Sequence, residues 1–406
     1  MQRFLQMGWI ATAALPLALL ISACQPISPS TPSASSSPAV EQKGPASEAG
    51  GSVSADWKPP PLSPNAAVFY DGLAYPRSLK FDADGNLYVA EAGNAGEEKI
   101  AADTCPDFES AFMPYFMGNS SRVSRITPDG KRTTVIDAIP SARDPYDWTY
   151  GAADVALMGD TVYALFQAGG CSRAQDALPN GILRGNPDGT WSSFADLSAI
   201  LRANWPPKPT MDDDMEPDGM PYGLIAVDDK FYIVETNHGG LYEVSHEGQV
   251  TKLVDFTALF GHIAPTVLTY HDGNLYVGNI NALPTVVGAA KVFKVSPAGK
   301  VEVFAEGFTN ILGLAFDEQG RLYVLQMSNG ETEIPALGTG RVVRLNSDGL
   351  RDVMATGLSY PAGMAIGADG ALYVSQYSYD LEPGRAHAGM GQILRIDVSE
   401  PLATKR

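Results

Sequence analysis

From Leu62 to Val398 short apolar runs alternate with polar turns, and no long helical period separates them. Six of the runs share a triplet with tyrosine at its centre. They are Leu87-Tyr88-Val89, Val162-Tyr163-Ala164, Phe231-Tyr232-Ile233, Leu275-Tyr276-Val277, Leu322-Tyr323-Val324 and Leu372-Tyr373-Val374. A polar turn precedes each, most clearly Asp82-Ala83-Asp84-Gly85-Asn86, Asp317-Glu318-Gln319-Gly320-Arg321 and Ala368-Asp369-Gly370-Ala371. Glycine there supplies the positive φ that a tight hairpin requires, so each triplet is predicted to be a strand joined to the one before it.

A second hairpin follows in most repeats, turning at Pro128-Asp129-Gly130, Pro187-Asp188-Gly189, His246-Glu247-Gly248, Pro297-Ala298-Gly299 and Ser347-Asp348-Gly349. Four strands per repeat, with the later tyrosines spaced 44 to 50 residues apart, predict an all-β, six-bladed β-propeller with four-stranded antiparallel blades. The sixth repeat ends soon after Gln392–Ile396 and lacks an outer strand. Residues Ala66–Leu73 resemble the outer strands Val301–Phe308 and Arg351–Leu358, so this N-terminal strand is expected to close the last blade.

Aligning the repeats predicts which residues meet at the axis. The position opening each inner strand is held by Arg77, Ala153, Tyr222, Thr266, Leu312 and Ala362, and the next by Ser78, Asp154, Gly223, Val267, Gly313 and Gly363. Small residues dominate where six strands crowd together. Arg77 and Asp154 are expected to form an ion pair in the tunnel. Arg77, Asp154, Tyr222 and Thr266, with Asn310 close by, are the candidate ligand-binding groups.

The N-terminus changes the picture of location. Arg3, an apolar run from Trp9 to Ile21, and then Ser22-Ala23-Cys24 resemble a bacterial lipoprotein signal, which implies lipid attachment at Cys24 and anchoring to a bacterial membrane. The run is shorter than the roughly 20 residues that span a bilayer. The division expected is a signal peptide at 1–23, a Ser/Pro-rich tether at 24–60 too poor in apolar residues to fold, the propeller at 61–399 and a tail at 400–406. Gln25 after Cys24 resembles the pattern sorted to an outer membrane.

The net charge of -18, with lysines and arginines scattered, argues against nucleic acid as a partner. A monomer is expected. Insertions at 92–121, 168–181, 196–221 and 255–265 should collect on one face, which would present a binding surface for a protein, glycan or small molecule. Cys105 and Cys171 fall in the first two, on neighbouring blades, and are expected to form a disulfide in an exported chain. Asp212, Asp213, Asp214, Glu216 and Asp218 place five carboxylates within seven residues. Such a run reads first as a solvated loop; Ca²⁺ is the ion it would hold as a metal site, although EF-hand spacing is missing, and no other cofactor is expected. Asp154, His238 and His262 are the candidate general bases, the histidines standing near Glu235 and Asp255. No phosphate loop, dinucleotide fingerprint or nucleophile elbow occurs in the sequence.

The stretches Tyr75–Leu79, Pro221–Leu224, Val287–Phe293 and Phe308–Phe316 resemble the ScyD/ScyE-type family of secreted NHL-like propellers. That resemblance implies fold and export, and carries over no catalytic residue. Two enzymatic alternatives come from other families. Gluconolactonase-type propellers hold a divalent metal on Glu, Asn and Asp near the axis, where this chain has Arg77, Leu312 and Ala362. Streptogramin-inactivating lyases carry a Trp-Phe-Thr-Glu-like strand, which Tyr88-Val89-Ala90-Glu91 replaces here. A binding module is therefore the first expectation and a metal-dependent hydrolase or lyase the second.

Overall fold

The computed structural model describes residues 58–100, 105, 114–204, 215–281, 284–379 and 389–403. The signal peptide, Cys24, most of the tether and Asp212, Asp213 and Asp214 lie outside the described residues. The rest is a ring of six antiparallel blades, the predicted six-bladed propeller. The inner strands, in blade order, are Pro76–Phe81, Ala152–Met158, Pro221–Val227, Pro265–His271, Ile311–Phe316 and Met364–Ile366.

Hairpin chemistry explains the regularity. At Asp82 the side-chain Oδ1 accepts from the amides of Asp84 and Asn86, while Gly85 sits at φ 80°, so the turn is closed twice over. Asp317 repeats this with the amides of Gln319 and Arg321. Facing strands then interleave apolar side chains between blades. Leu394, Val374 and Met364 of blade 6 pack with Met354, Ala355 and Leu358 of blade 5, all buried. Where inner strands converge there is no room for a side chain: a Cβ on Gly363 would stand 2.6 Å from the Arg77 carbonyl oxygen.

Ala66–Leu73 is the outer strand of blade 6, antiparallel to Gly391–Ile396, with Val68 opposite Leu394. The ring is thus closed by both ends of the described chain. Preceding residues form a strap along blade 5: Ser63 donates its amide to Thr356 O at 3.1 Å, and the Asn65 amide group bonds Met354 O at 2.8 Å. Past blade 6, the Leu402 amide bonds Val353 O at 2.9 Å. The last described residues therefore reach blade 5 as well.

Blade 1 departs from the plan. Its third and fourth strands run twelve residues each, Tyr115–Ile126 and Arg132–Arg143, and recruit the short strands Glu98–Ile100 and Thr149–Tyr150. The described parts of the other insertions hold a 3-10 turn at Cys171–Arg173 and helices at Ser198–Ala203 and Phe256–Phe260. Among the described residues no helix is long and apolar enough to cross a membrane.

Candidate binding face

The loop-rich face rests on a belt of side-chain acceptors. Each tyrosine-bearing strand leads into a buried acid or amide: Glu91, Gln167, Glu235, Asn279, Gln326 and Gln376. Glu91 accepts from Ala74 N at 2.8 Å, Glu235 from Met220 N at 2.7 Å, Gln326 from Thr309 N at 2.7 Å and Gln376 from Ser359 N at 3.1 Å. Every one of those amides belongs to the linker arriving from the preceding blade. A buried amide left unpaired costs about 1–3 kcal/mol, so these four contacts fix where their linkers deliver the next inner strand. Asn279 grips its linker the other way, donating to Ile263 O at 2.9 Å. Sequence reasoning overlooked the belt, although its signal is plain in retrospect: an acid or amide three residues after the tyrosine of each triplet, slipped by one at Gln167. That slip has a consequence, since the Gln167 Oε1 is buried with no hydrogen-bond partner.

At the axis all six residues predicted to open the inner strands line one small cavity, with Ser78, Asp154, Val267 and Tyr379. Its volume is about 20 Å³. A space of that size holds one or two waters and no organic ligand. Two of its lining residues, Tyr222 and Tyr379, hydrogen-bond to each other through their hydroxyls. Under Tyr379 lies the Arg77 guanidinium, 3.8 Å from the ring centroid, donating to Thr149 O at 2.5 Å and Oγ1 at 3.2 Å. Burial pulls the Arg77 pKa below its ordinary value, the neighbouring tyrosines opposing this in part, and its Nε is buried without a hydrogen-bond partner.

The expected Arg77–Asp154 ion pair is not formed. Arg77 turns its guanidinium to Thr149 instead, and the pairing of both inner strands is irregular at their start, between Pro76 and Leu79 and between Ala152 and Asp154. Lys80 brings its Nζ to 3.8 Å from Asp154 Oδ1. Asp154 also accepts from Val155 N and, across the blade boundary, from Leu224 N, both at 2.7 Å. Burial raises its pKa, with Lys80 opposing. Thr266 is a second such link, its hydroxyl donating to Ile311 O of the next blade at 2.6 Å. Asn310 does not reach the cavity. It occupies a left-handed linker position at φ 47°, its amide group donating to Ile280 O at 2.9 Å and its Oδ1 accepting from Thr285 at 3.2 Å.

Over blades 1 to 3 the face is fastened by buried charges. Cys105 and Cys171 are joined as predicted, with Cα atoms 4.9 Å apart. Beside the bridge Arg173 is fully buried, donates to Glu216 Oε2 at 2.7 Å and lies 4.5 Å from the Tyr150 ring centroid. Burial alone would lower the Arg173 pKa; the Glu216 carboxylate reverses that and raises it. Glu216 further accepts from Ser172 Oγ at 3.1 Å and Tyr115 OH at 3.2 Å. Asp218 takes Arg202 at 2.6 Å and the Cys171 amide at 2.8 Å. Its carboxylate fills the space a Cβ on Gly170 would need, which explains a glycine there at φ 87°. Asp144 accepts from Tyr146 N, Trp148 N and Tyr150 OH at 2.9 to 3.0 Å, yet burial dominates and raises its pKa to about 6.

Two members of the predicted acidic run, Glu216 and Asp218, thus sit beneath the surface opposite arginines. His238 is buried, with its amide on Glu235 Oε2 at 2.8 Å and its Nε2 2.7 Å from Glu216 O, so it belongs to this packing. His262 lies half-buried in the connection that follows the helix Phe256–Phe260. Arg173 and Asp144 were not anticipated from sequence, because their partners lie in loops without any period.

No family model and no curated protein matches this chain. Solved structures do, and they are six-bladed propeller proteins. A putative oxidoreductase (glucose dehydrogenase) from Thermus thermophilus is 18% identical with a TM-score of 0.50, over 83% of this chain and 100% of that one. A streptogramin B lyase is 12% identical with a TM-score of 0.44, over 83% and 97%. A gluconolactonase from Xanthomonas campestris is 11% identical with a TM-score of 0.47, over 84% and 96%. At these identities the likeness establishes the fold alone.

Proposed function

We propose that this chain is an exported binding module, anchored through lipid at Cys24, whose loop-rich face engages a protein, glycan or small-molecule ligand. The observation that carries the reading is how little space the axis offers. Tyr222 and Tyr379, bonded to each other, line a cavity of about 20 Å³. A substrate-sized pocket is typically about 300–1,000 Å³. The polar groups around it serve the ring: Asp154 ties blade 2 to blade 3, and Thr266 ties blade 4 to blade 5. The resemblance to ScyD/ScyE-type secreted propellers supports export. Recognition then falls to the loops around the axis, held rigid by the acceptor belt and, over blades 1 to 3, by the disulfide.

One observation favours the second reading, a hydrolase or lyase. Asp154 is a buried carboxylate with a raised pKa beside Ser78 and Lys80, a combination found at active sites as well as in structural clusters. Assaying lactone turnover with added divalent cations separates the two. A binding module is expected to show none; chelator-sensitive turnover that Asp154→Asn abolishes would overturn it. For the anchor, Cys24→Ser is expected to move the protein into the soluble fraction, and unchanged membrane retention would refute lipidation.

A further inference from the structure

Among the exposed apolar side chains of the loop-rich face, Tyr146 and Leu259, each 57% exposed, stand on separate links between blades, whereas three others come together over blades 4 and 5. Val286, Val287 and Ile334 are 60%, 63% and 55% exposed. The loops that carry them, from blades 4 and 5, are joined: Thr285 N donates to Glu333 O at 2.6 Å, and Val287 occupies the space beside Gly330. Three branched side chains therefore project together from two mutually braced loops. Isolated exposed apolar residues need no explanation, but a braced group at loop tips does.

The N-terminal strap passes the same place. Pro60 lies against Gly338, in the loop that carries Ile334, and Pro61 O lies against Gly357 at the end of the outer strand of blade 5. The described chain thus begins against the loop that carries Ile334. The tether expected from the sequence puts 33 residues between Cys24 and Lys58, and a flexible chain of that length has a root-mean-square span of roughly 30 Å. An anchor on such a leash raises the effective bilayer concentration most for the edge where the strap ends.

We propose that Val286, Val287 and Ile334 insert into the interfacial region of the anchoring bilayer and seat the propeller on the membrane by this edge of its loop-rich face. The inference rests on the anchored reading given above. Aliphatic side chains at protruding tips suit the headgroup–acyl boundary, and a second membrane contact fixes the orientation that a lipid on a long tether leaves open. Glu331 and Glu333 flank the tips, and the chain carries a net charge of -18, so the fitting surface is zwitterionic rather than anionic. Orienting the edge over blades 4 and 5 toward lipid leaves the opposite side, over blades 1 and 2, facing away from it.

The test supplies the anchor chemically, so that it does not depend on lipidation in the cell. The full chain is coupled through the Cys24 thiol to a maleimide lipid in phosphatidylcholine vesicles with brominated acyl chains. Tryptophan is introduced at Val286→Trp, Ile334→Trp and, as a control in the turn at the other end of blade 5, Leu350→Trp, where the native residue is 65% exposed. Emission above the parent protein is expected to fall at least twofold at the first two positions and to be unchanged at the third. Equal emission at all three would overturn the proposal, whatever the fate of Cys24→Ser in cells. If tryptophan perturbs the loops, hydrogen exchange of the unsubstituted chain decides: amides of 284–288 and 331–336 slow on attachment if the edge is seated, and exchange unchanged if it is not.

Discussion

Blades 4 to 6 and blades 1 to 3 share one four-stranded plan but are secured differently beneath the loop-rich face. In the former, the links between successive blades are short, residues 309–310 and 359–363, and apolar layers such as Met354, Leu358 and Leu394 run up to these linkers, which Gln326 and Gln376 pin through neutral amides. In the latter, long insertions overlie the blades, and their places are set by buried charges: Arg173 on Glu216, Arg132 on Glu91, Arg202 on Asp218, with Cys105 bonded to Cys171. A loop without apolar period has no layer of its own to pack. Directional contacts must define its position, and a buried charge tolerates few alternatives once its partner is in place.

The largest effect should come from breaking the charge at the centre of that network. Arg173→Ala leaves Glu216 buried opposite nothing, and is expected to cost about 3–5 kcal/mol in urea unfolding. Joint replacement by Met at Arg173 and Leu at Glu216 should recover most of it, because the desolvation of both charges is then avoided. A loss below about 1 kcal/mol for Arg173→Ala would mean that the insertions are not held by this pair.

Next in size is the covalent tie. Cys105 and Cys171 are separated by 66 residues, and opening a loop of that length, by the paired serine variant, should lower stability by about 2–4 kcal/mol. Hydrogen exchange localises the effect: faster exchange is expected in 168–181 and not in blades 4 to 6. Uniform acceleration would show that the bridge stabilises the whole ring rather than its decorated half.

A pH experiment isolates Asp144. Its folded pKa of about 6 lies above the ordinary value of 3.8, so the native state holds this proton more tightly than the unfolded chain. Its contribution is complete below about pH 4 and is lost as pH rises through 6, at most about 2–3 kcal/mol. Asp144→Asn keeps an oxygen for the Tyr146 and Trp148 amides and removes the titration. Stability of the variant should therefore be flatter between pH 4 and 6 than that of the parent, and parallel profiles would assign the proton elsewhere.

The same contrast explains what could be read in advance. Blades, hairpin turns, the ring-closing strand at Val68 and the six axis positions follow from a repeat whose local rules agree with the global fold. The Arg77–Asp154 pair failed because both inner strands start irregularly, where side-chain direction does not follow from position in the repeat, and Arg77 is taken by Thr149. Glu91, Glu235, Gln326 and Gln376 were equally visible as a position in the repeat. Arg173 and Glu216 were not, since 43 residues and two aperiodic loops separate them. Charge in a loop is ordinarily solvated, and only the folded insertion shows that these two are buried.

The smallest expected effect is the control for the whole contrast. Lys291 and Glu306 of blade 4 face each other across paired strands at 3.3 Å, closer than Lys80 and Asp154 at the axis, yet their side chains are 41% and 69% exposed. Water already solvates both, so their attraction is screened and offset by ordering two long side chains. Lys291→Ala should change stability by less than about 0.5 kcal/mol and should leave its salt dependence nearly unchanged. Distance alone would rank this pair beside Arg173 and Glu216. If Lys291→Ala cost as much as Arg173→Ala, burial would not be what distinguishes the two halves of the ring, and the role given to charges beneath the insertions of blades 1 to 3 would fall with it.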